Sequence, residues 1–292
     1  MPSRHGALTA EFNLCIGTIL NCETVVKQCI GCNLIFDSLK MPLFKKRDKS
    51  EIPPTDNVSQ RGKSTKEYPS YLGRTVFAGM RLLDPVLQYS LISYGYGNAI
   101  SKIFGLKAIH TTLTKPLGLL VGLTTVAALR HVLWASYIVA VPVSAGEGVA
   151  IGIFNLLVDS INTLIALRVP GTQLKLVHYL ATGLYALGAW IETWSELQRK
   201  WFKDKSSHQG HIHTGGLFSL ARHINYGGYT IWRGAAGIAT GSIWGIWTGL
   251  FFSYDFAYRG VPALDNYMSK KYKDQWESYK KFTPYKLFPG IY

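Results

Sequence analysis

The chain has 292 residues, of which 48% are hydrophobic, 13% aromatic and 16% charged, and its formal net charge is +14. That balance is too apolar for an ordinary soluble enzyme and is the composition of a multi-span membrane protein. The basic residues cluster beside the apolar runs, so anionic lipid and the positive-inside rule explain the charge better than nucleic acid, which is not an expected partner.

All four cysteines lie between Cys15 and Cys32. Cys15, Cys22 and Cys29 share one face if the segment is helical. Cys29 and Cys32 form a lone CxxC with no second pair nearby, so a small-residue helix face is favoured over a metal or redox site. The apolar stretch 12–36 is interrupted by Asn21, Glu23, Lys27 and Gln28. It reads as an amphipathic interfacial helix or a loose leader rather than a signal peptide. A polar linker follows over 40–74, with a basic run from Lys45 to Lys49 and prolines at Pro53 and Pro54. Its composition predicts disordered or extended chain. The expected organisation is therefore a basic leader and linker, 1–74, and a transmembrane domain, 75–292.

The apolar segments of that domain predict an all-α, multi-span helical bundle of about six or seven spans, with a short cytoplasmic C-terminal tail. The first span runs from Val76 to about Asn98, and stronger ones cover Leu117–Val141, Val149–Val169 and Leu174 to about Ser195. A polar island occupies 196–224. Asn225–Tyr258 is longer than the ~20 residues one span needs and is read as two short spans turning near Gly241 and Ser242, with one long tilted helix as the alternative. Gly237, Gly241, Gly245 and Gly249 recur every fourth residue, a stripe that favours a continuous helical register. Six spans put the linker, the island and the tail, all basic, on one side, the cytoplasm. Lys102, Lys107 and Lys115 then fall on the other side, against that rule.

Ionisable residues inside spans are candidates for function, and Arg81, Asp84, Arg130, Asp159 and Arg233 qualify. Arg81 and Asp84 are spaced to pair with each other. For Arg130 and Asp159 an ion pair between helices and a functional role remain equally open. In the island, Glu192, Glu196 and Lys203 fall on one helical stripe that runs from the membrane into the cytoplasm. Carboxylates there suit ribose or amide groups and the lysine suits a phosphate, while an ordinary charged helix end has the same spacing. With Gln198, Arg222, His223, Asn225 and Tyr226 they form a polar site at one membrane edge, and its Arg and Lys point to an anionic ligand. His208, His211 and His213 lack a further ligand group nearby, so a solvated loop is expected there and no metal.

The pattern Glu192-x-x-x-Glu196-x-Gln198-x-x-x-x-Lys203, then Gly215-Gly-Leu-Phe218, then Arg222-His-x-Asn-Tyr-x-Gly228, resembles the steroid 5-alpha-reductase family. It looks closest to that superfamily's uncharacterised membrane-protein branch. The tail agrees, with Arg259-Gly-Val-Pro-Ala-Leu-Asp265, Tyr272, Trp276-Glu-Ser-Tyr279 and Thr283-Pro284, so the resemblance covers roughly residues 120 to 292. It implies a bundle of about seven helices in the endoplasmic reticulum membrane. The implied reaction is NADPH-dependent reduction of a carbon–carbon double bond conjugated to a carbonyl, in a lipid or sterol-like molecule. By resemblance the nucleotide contacts are Glu192, Glu196, Gln198, Lys203, Arg222, His223, Asn225 and Tyr226. The tail closes over the cofactor with Tyr272 or Tyr279 reaching inward. Tyr226 is the candidate catalytic donor for the carbonyl oxygen, with a structural aromatic as the alternative.

Two positions depart from the family. Tyr229 stands where many members have glutamate, and Ile224 where many have proline. Neighbouring membrane methyltransferases that use S-adenosylmethionine share the Arg-His-x-Asn-Tyr signal. They often carry paired glutamates after the last span, where this chain has Pro262-Ala-Leu-Asp265, which favours the reductase. A non-catalytic protein that keeps the fold is the third reading.

Overall fold

The computed structural model describes residues 71–106, 110, 112–140 and 142–292. The cysteines and the leader and linker up to residue 70 lie outside the described residues. Every regular element among the described residues is helical.

Helix α1, Tyr71–Ser93, begins inside the expected linker and ends where Gly95 adopts a left-handed φ of 76° before the short α2, Tyr96–Ile103. Pro116 opens α3, Lys115–Leu133, at a position where a missing N–H costs nothing. A π-helical turn, Trp134–Ile138, ends that span before Pro142. A capping box starts α4, Ala145–Ala166: the Ser144 hydroxyl accepts from Glu147 N, and the Glu147 carboxylate accepts from Ser144 N. The longest helix, α5, Leu176–Asp204, carries the island's first half past the apolar region. After two 3-10 turns, Ser206–His208 and Gly216–Ser219, come α6, Ile224–Ile238, and α7, Trp247–Asp255. A π turn, Phe256–Gly260, joins α7 to α8, Val261–Tyr272, and α9, Asp274–Phe282, follows.

The glycine-rich stretch is two helices, as its length suggests. The stripe serves a different purpose from the continuous register it implied. The chain reverses at Gly241, whose φ is 74°. Gly237 then faces Gly245 across the reversal, and Gly234 faces Gly249, leaving no room for a side chain between α6 and α7. The bundle packs α1 against α3 and α4, and α5 along α6. At the α5–α6 seam a Cβ on Gly188 would lie 2.5 Å from Trp232 N, and one on Gly228 would lie 2.6 Å from Glu192 N. The two backbones therefore touch beside Glu192. One apolar core runs from Ile92 on α1 to Val261 on α8, and a second, smaller one joins Phe218, Ala221 and Ile224 to Tyr272, Trp276 and Tyr279 of the tail.

Candidate active site

Helices α1, α3, α4, α5 and α6 and the first π turn line a partly open cavity. Phe77, Trp134, Ile138 and Ile151 give it an apolar wall. Arg130, His131, Asn155, Glu192, Thr193, Glu196 and Tyr229 supply the polar lining.

Glu192 and Glu196 stand one helical turn apart on this wall, as their spacing predicted. Glu192 accepts from Trp232 Nε1 at 2.5 Å and pairs with Arg130 Nη2. Arg130 also donates to Thr193 Oγ1 at 3.0 Å and lies over the Trp232 ring. Glu196 accepts from Asn225 Nδ2 at 2.7 Å and pairs with Arg199. Asn225 thus reaches the cavity through Glu196.

Beside the cavity the buried charges of α1, α4 and α6 satisfy one another. Asp159 is paired with Arg233 at 2.9 Å and Arg81 at 3.4 Å, and Arg81 also binds Asp84, as expected of that pair. Gln88 donates to Asp84 at 2.8 Å, and Arg233 also contacts Asn155. The two undecided residues, Asp159 and Arg130, are therefore both partners in ion pairs between helices. Arg233 Nε donates to Tyr229 Oη at 3.1 Å. With a phenol at this position, Arg233 takes its counter-charge from Asp159.

The remaining predicted site residues lie outside the cavity lining. Gln198 accepts from Leu217 N at 3.0 Å. Lys203 donates to Tyr272 Oη at 2.9 Å and to the His211 carbonyl. Arg222 donates to the Thr283 and Pro284 carbonyls at 2.7 and 2.9 Å. His223 Nε2 meets Asp265 Oδ1 at 2.9 Å. The Tyr226 ring stacks on Phe256 with centroids 4.6 Å apart. Tyr279 is buried, and its hydroxyl donates to the Phe218 carbonyl at 2.6 Å, which fastens the tail to the island. His208 stacks on Phe202, and His213 packs against Phe202 and Phe218.

Burial lowers the His223 imidazole below its ordinary value, against the opposing pull of Asp265, so at neutral pH it is the uncharged donor to that carboxylate. Burial would raise Asp265, but the His223 contact and the Arg222 charge hold it below the usual carboxylate range. Burial raises the Tyr279 phenol, which stays a proton donor throughout the physiological range.

His131, Trp232 and Asn155 join the site without having been singled out in the sequence. The available signal was Arg130-His131, two polar neighbours inside an otherwise apolar span.

Residues 131–283 match the family described as Protein of unknown function (DUF1295). The chain is also 32% identical over 248 residues to a protein of Ustilaginoidea virens named "Probable O-methyltransferase ustE", covering 76% of this chain and 86% of that relative.

Proposed function

The chain belongs to the DUF1295 family, the steroid 5-alpha-reductase-like family in general, and from that premise we propose that it is an integral membrane enzyme that O-methylates an apolar small molecule held in the cavity. Two stretches, Lys115–Ile138 and Ala145–Ala166, are long and apolar enough to cross a bilayer. Leu82, Leu83 and Val86 of α1, Ile153 and Leu157 of α4, and Leu180, Leu184 and Trp190 of α5 expose apolar side chains on the outside of the bundle. A belt of that kind suits hydrocarbon and not water. In this reading α1, α3, α4, α5, α6 and α7 are six spans, and the basic α8 and α9 rest on the cytoplasmic side.

The observation that carries the reaction is the placement of Glu192 and Glu196 together on the cavity wall. Two carboxylates suit a cosubstrate with a sulfonium and an ammonium, and S-adenosylmethionine supplies an electrophilic methyl group beside them. The name of the Ustilaginoidea virens relative supports the same choice. Arg130 and Trp232 hold the Glu192 carboxylate in place, and Asn225 does the same for Glu196.

NADPH-dependent reduction of a lipid or sterol-like enone is the second reading. Arg199, Lys200 and Lys203 on the last turns of α5 favour it, since they follow Glu196 toward the cytoplasm, where phosphates would lie. Pro262-Ala-Leu-Asp265, in place of paired glutamates, points the same way.

Calorimetric titration of the purified, detergent-solubilised protein with each nucleotide decides between the two. S-adenosylmethionine should bind, and Glu196→Gln should weaken it about tenfold, the scale of one charged hydrogen bond. Binding of NADPH alone selects the reductase, and binding of neither removes both readings.

A further inference from the structure

Arg130 spends its nitrogens unevenly. Nε is held by Thr193 and Nη2 by Glu192, while Nη1 is buried and makes no hydrogen bond of ordinary geometry to any described residue, although the Tyr185 hydroxyl lies close to the guanidinium. A buried guanidinium N–H without an acceptor is costly and marks a place where an acceptor belongs. Beside it, His131 Nδ1 lies 2.9 Å from Arg81 Nε. A guanidinium can only donate, so Nδ1 is the acceptor and the ring proton resides on Nε2. Arg81 is itself fixed by Asp84 and Asp159, and the His131 ring sits between Phe77 and Trp232. No described residue takes the Nε2 proton, and both Arg130 and His131 line the cavity.

We propose that Arg130 Nη1 and His131 Nε2 form a two-donor pocket for an oxygen acceptor on the bound small molecule. The apolar wall of Phe77, Trp134, Ile138 and Ile151 selects the rest of it: a flat aromatic or polycyclic body carrying a carboxylate, phenolate or carbonyl. A molecule of the same shape without the oxygen leaves both donors unpaired and is rejected for that reason. Glu192 and Arg81 are positioning residues, which aim the guanidinium and fix the tautomer. The inference rests on the cavity being the substrate chamber of the proposed enzyme, and it is independent of whether the cosubstrate is S-adenosylmethionine or NADPH.

The test uses the full chain in lipid nanodiscs with two probes, 2-naphthoate and naphthalene, read by quenching of tryptophan fluorescence and corrected for partition into empty nanodiscs. The parent should hold 2-naphthoate at least about tenfold more tightly than naphthalene. His131→Phe and Arg130→Gln should each remove about a factor of ten of that preference, the usual scale for one charge-assisted hydrogen bond. A parent with no preference, or variants that keep it, overturn the proposal. Ring 15N shifts of His131 in the unmodified protein test the tautomer without a variant. Nε2 protonated and Nδ1 bare at pH 7 is the expected state, and the opposite tautomer or an imidazolium overturns the proposal. Nucleotide titration of the same samples keeps the two readings apart. A preference for naphthoate with no nucleotide bound removes the enzyme and leaves the pocket, and nucleotide binding without the preference does the reverse.

Discussion

The buried charge network beside the cavity and the clasp that fastens the tail both use arginine, but they satisfy it differently. Arg81 and Arg233 are fully buried and face Asp84 and Asp159 on neighbouring turns and helices. Arg222 in the clasp donates mainly to the backbone carbonyls of Thr283 and Pro284, with Asp265 a more distant 3.8 Å away. Between packed helices the carbonyls are already committed to their own ladders, so a buried charge must be met by another charge. At the tail the chain is irregular, and its free carbonyls are the cheaper acceptors. Charge removal should therefore break the bundle and merely loosen the clasp.

The largest effect expected is that of Asp159→Ala, which leaves two guanidinium groups buried with one counter-ion fewer. Breaking a buried pair costs about 3–5 kcal/mol, so this variant should melt far below the parent in detergent or fail to yield monodisperse protein. A melting curve equal to the parent's would contradict the contrast drawn between the two regions. Arg222→Gln should cost about 1.5–3 kcal/mol, confined to the tail, because charged hydrogen bonds to carbonyls are lost and no charge is stranded. Limited proteolysis should then cut between residues 260 and 292 while the bundle stays intact, and faster cutting throughout the chain would show that the clasp supports the bundle.

A third and smaller effect is that of pH on the clasp. The His223 imidazole is lowered in the folded protein from an ordinary value of 6.5. As pH falls through 6.5, the unfolded tail takes up a proton that the folded one refuses, so clasp stability falls, by at most about 1.4 kcal/mol per pH unit. Asp265, held low, keeps its own contribution until the pH drops below the usual carboxylate range. Tail protection from protease should weaken between pH 7 and 5 in the parent and stay flat over that interval in His223→Gln.

Local spacing carried part of this structure. Arg81 and Asp84 pair at i, i+3, and Glu192 and Glu196 share a face, because a helix brings such positions together whatever surrounds it. The two helices between Asn225 and Tyr258 were legible from length against bilayer thickness. What the sequence hid is what depends on neighbours far along the chain. Trp232 reaches Glu192 across 40 residues and Arg130 does so across 62. The bond from the Tyr279 hydroxyl to the Phe218 carbonyl, across 61 residues, is of the same kind. The glycine stripe misled for a related reason: a four-residue repeat looks the same whether it meets another helix or its own reflection across a turn.

The seam at Gly188 and Gly228 has a wider consequence. Trp232 N and Glu192 N sit where the first carbon of any side chain at those two positions would have to go. The gap between the indole and the carboxylate it holds is thus measured out by two absent methyl groups. Any substitution at either glycine works as a wedge. It acts through the backbone, touches no polar side chain, and changes the aim of Glu192 and, through it, of Arg130. The belt outside the bundle can exchange one apolar residue for another with little effect on the chemistry. This seam cannot, although neither glycine lines the cavity.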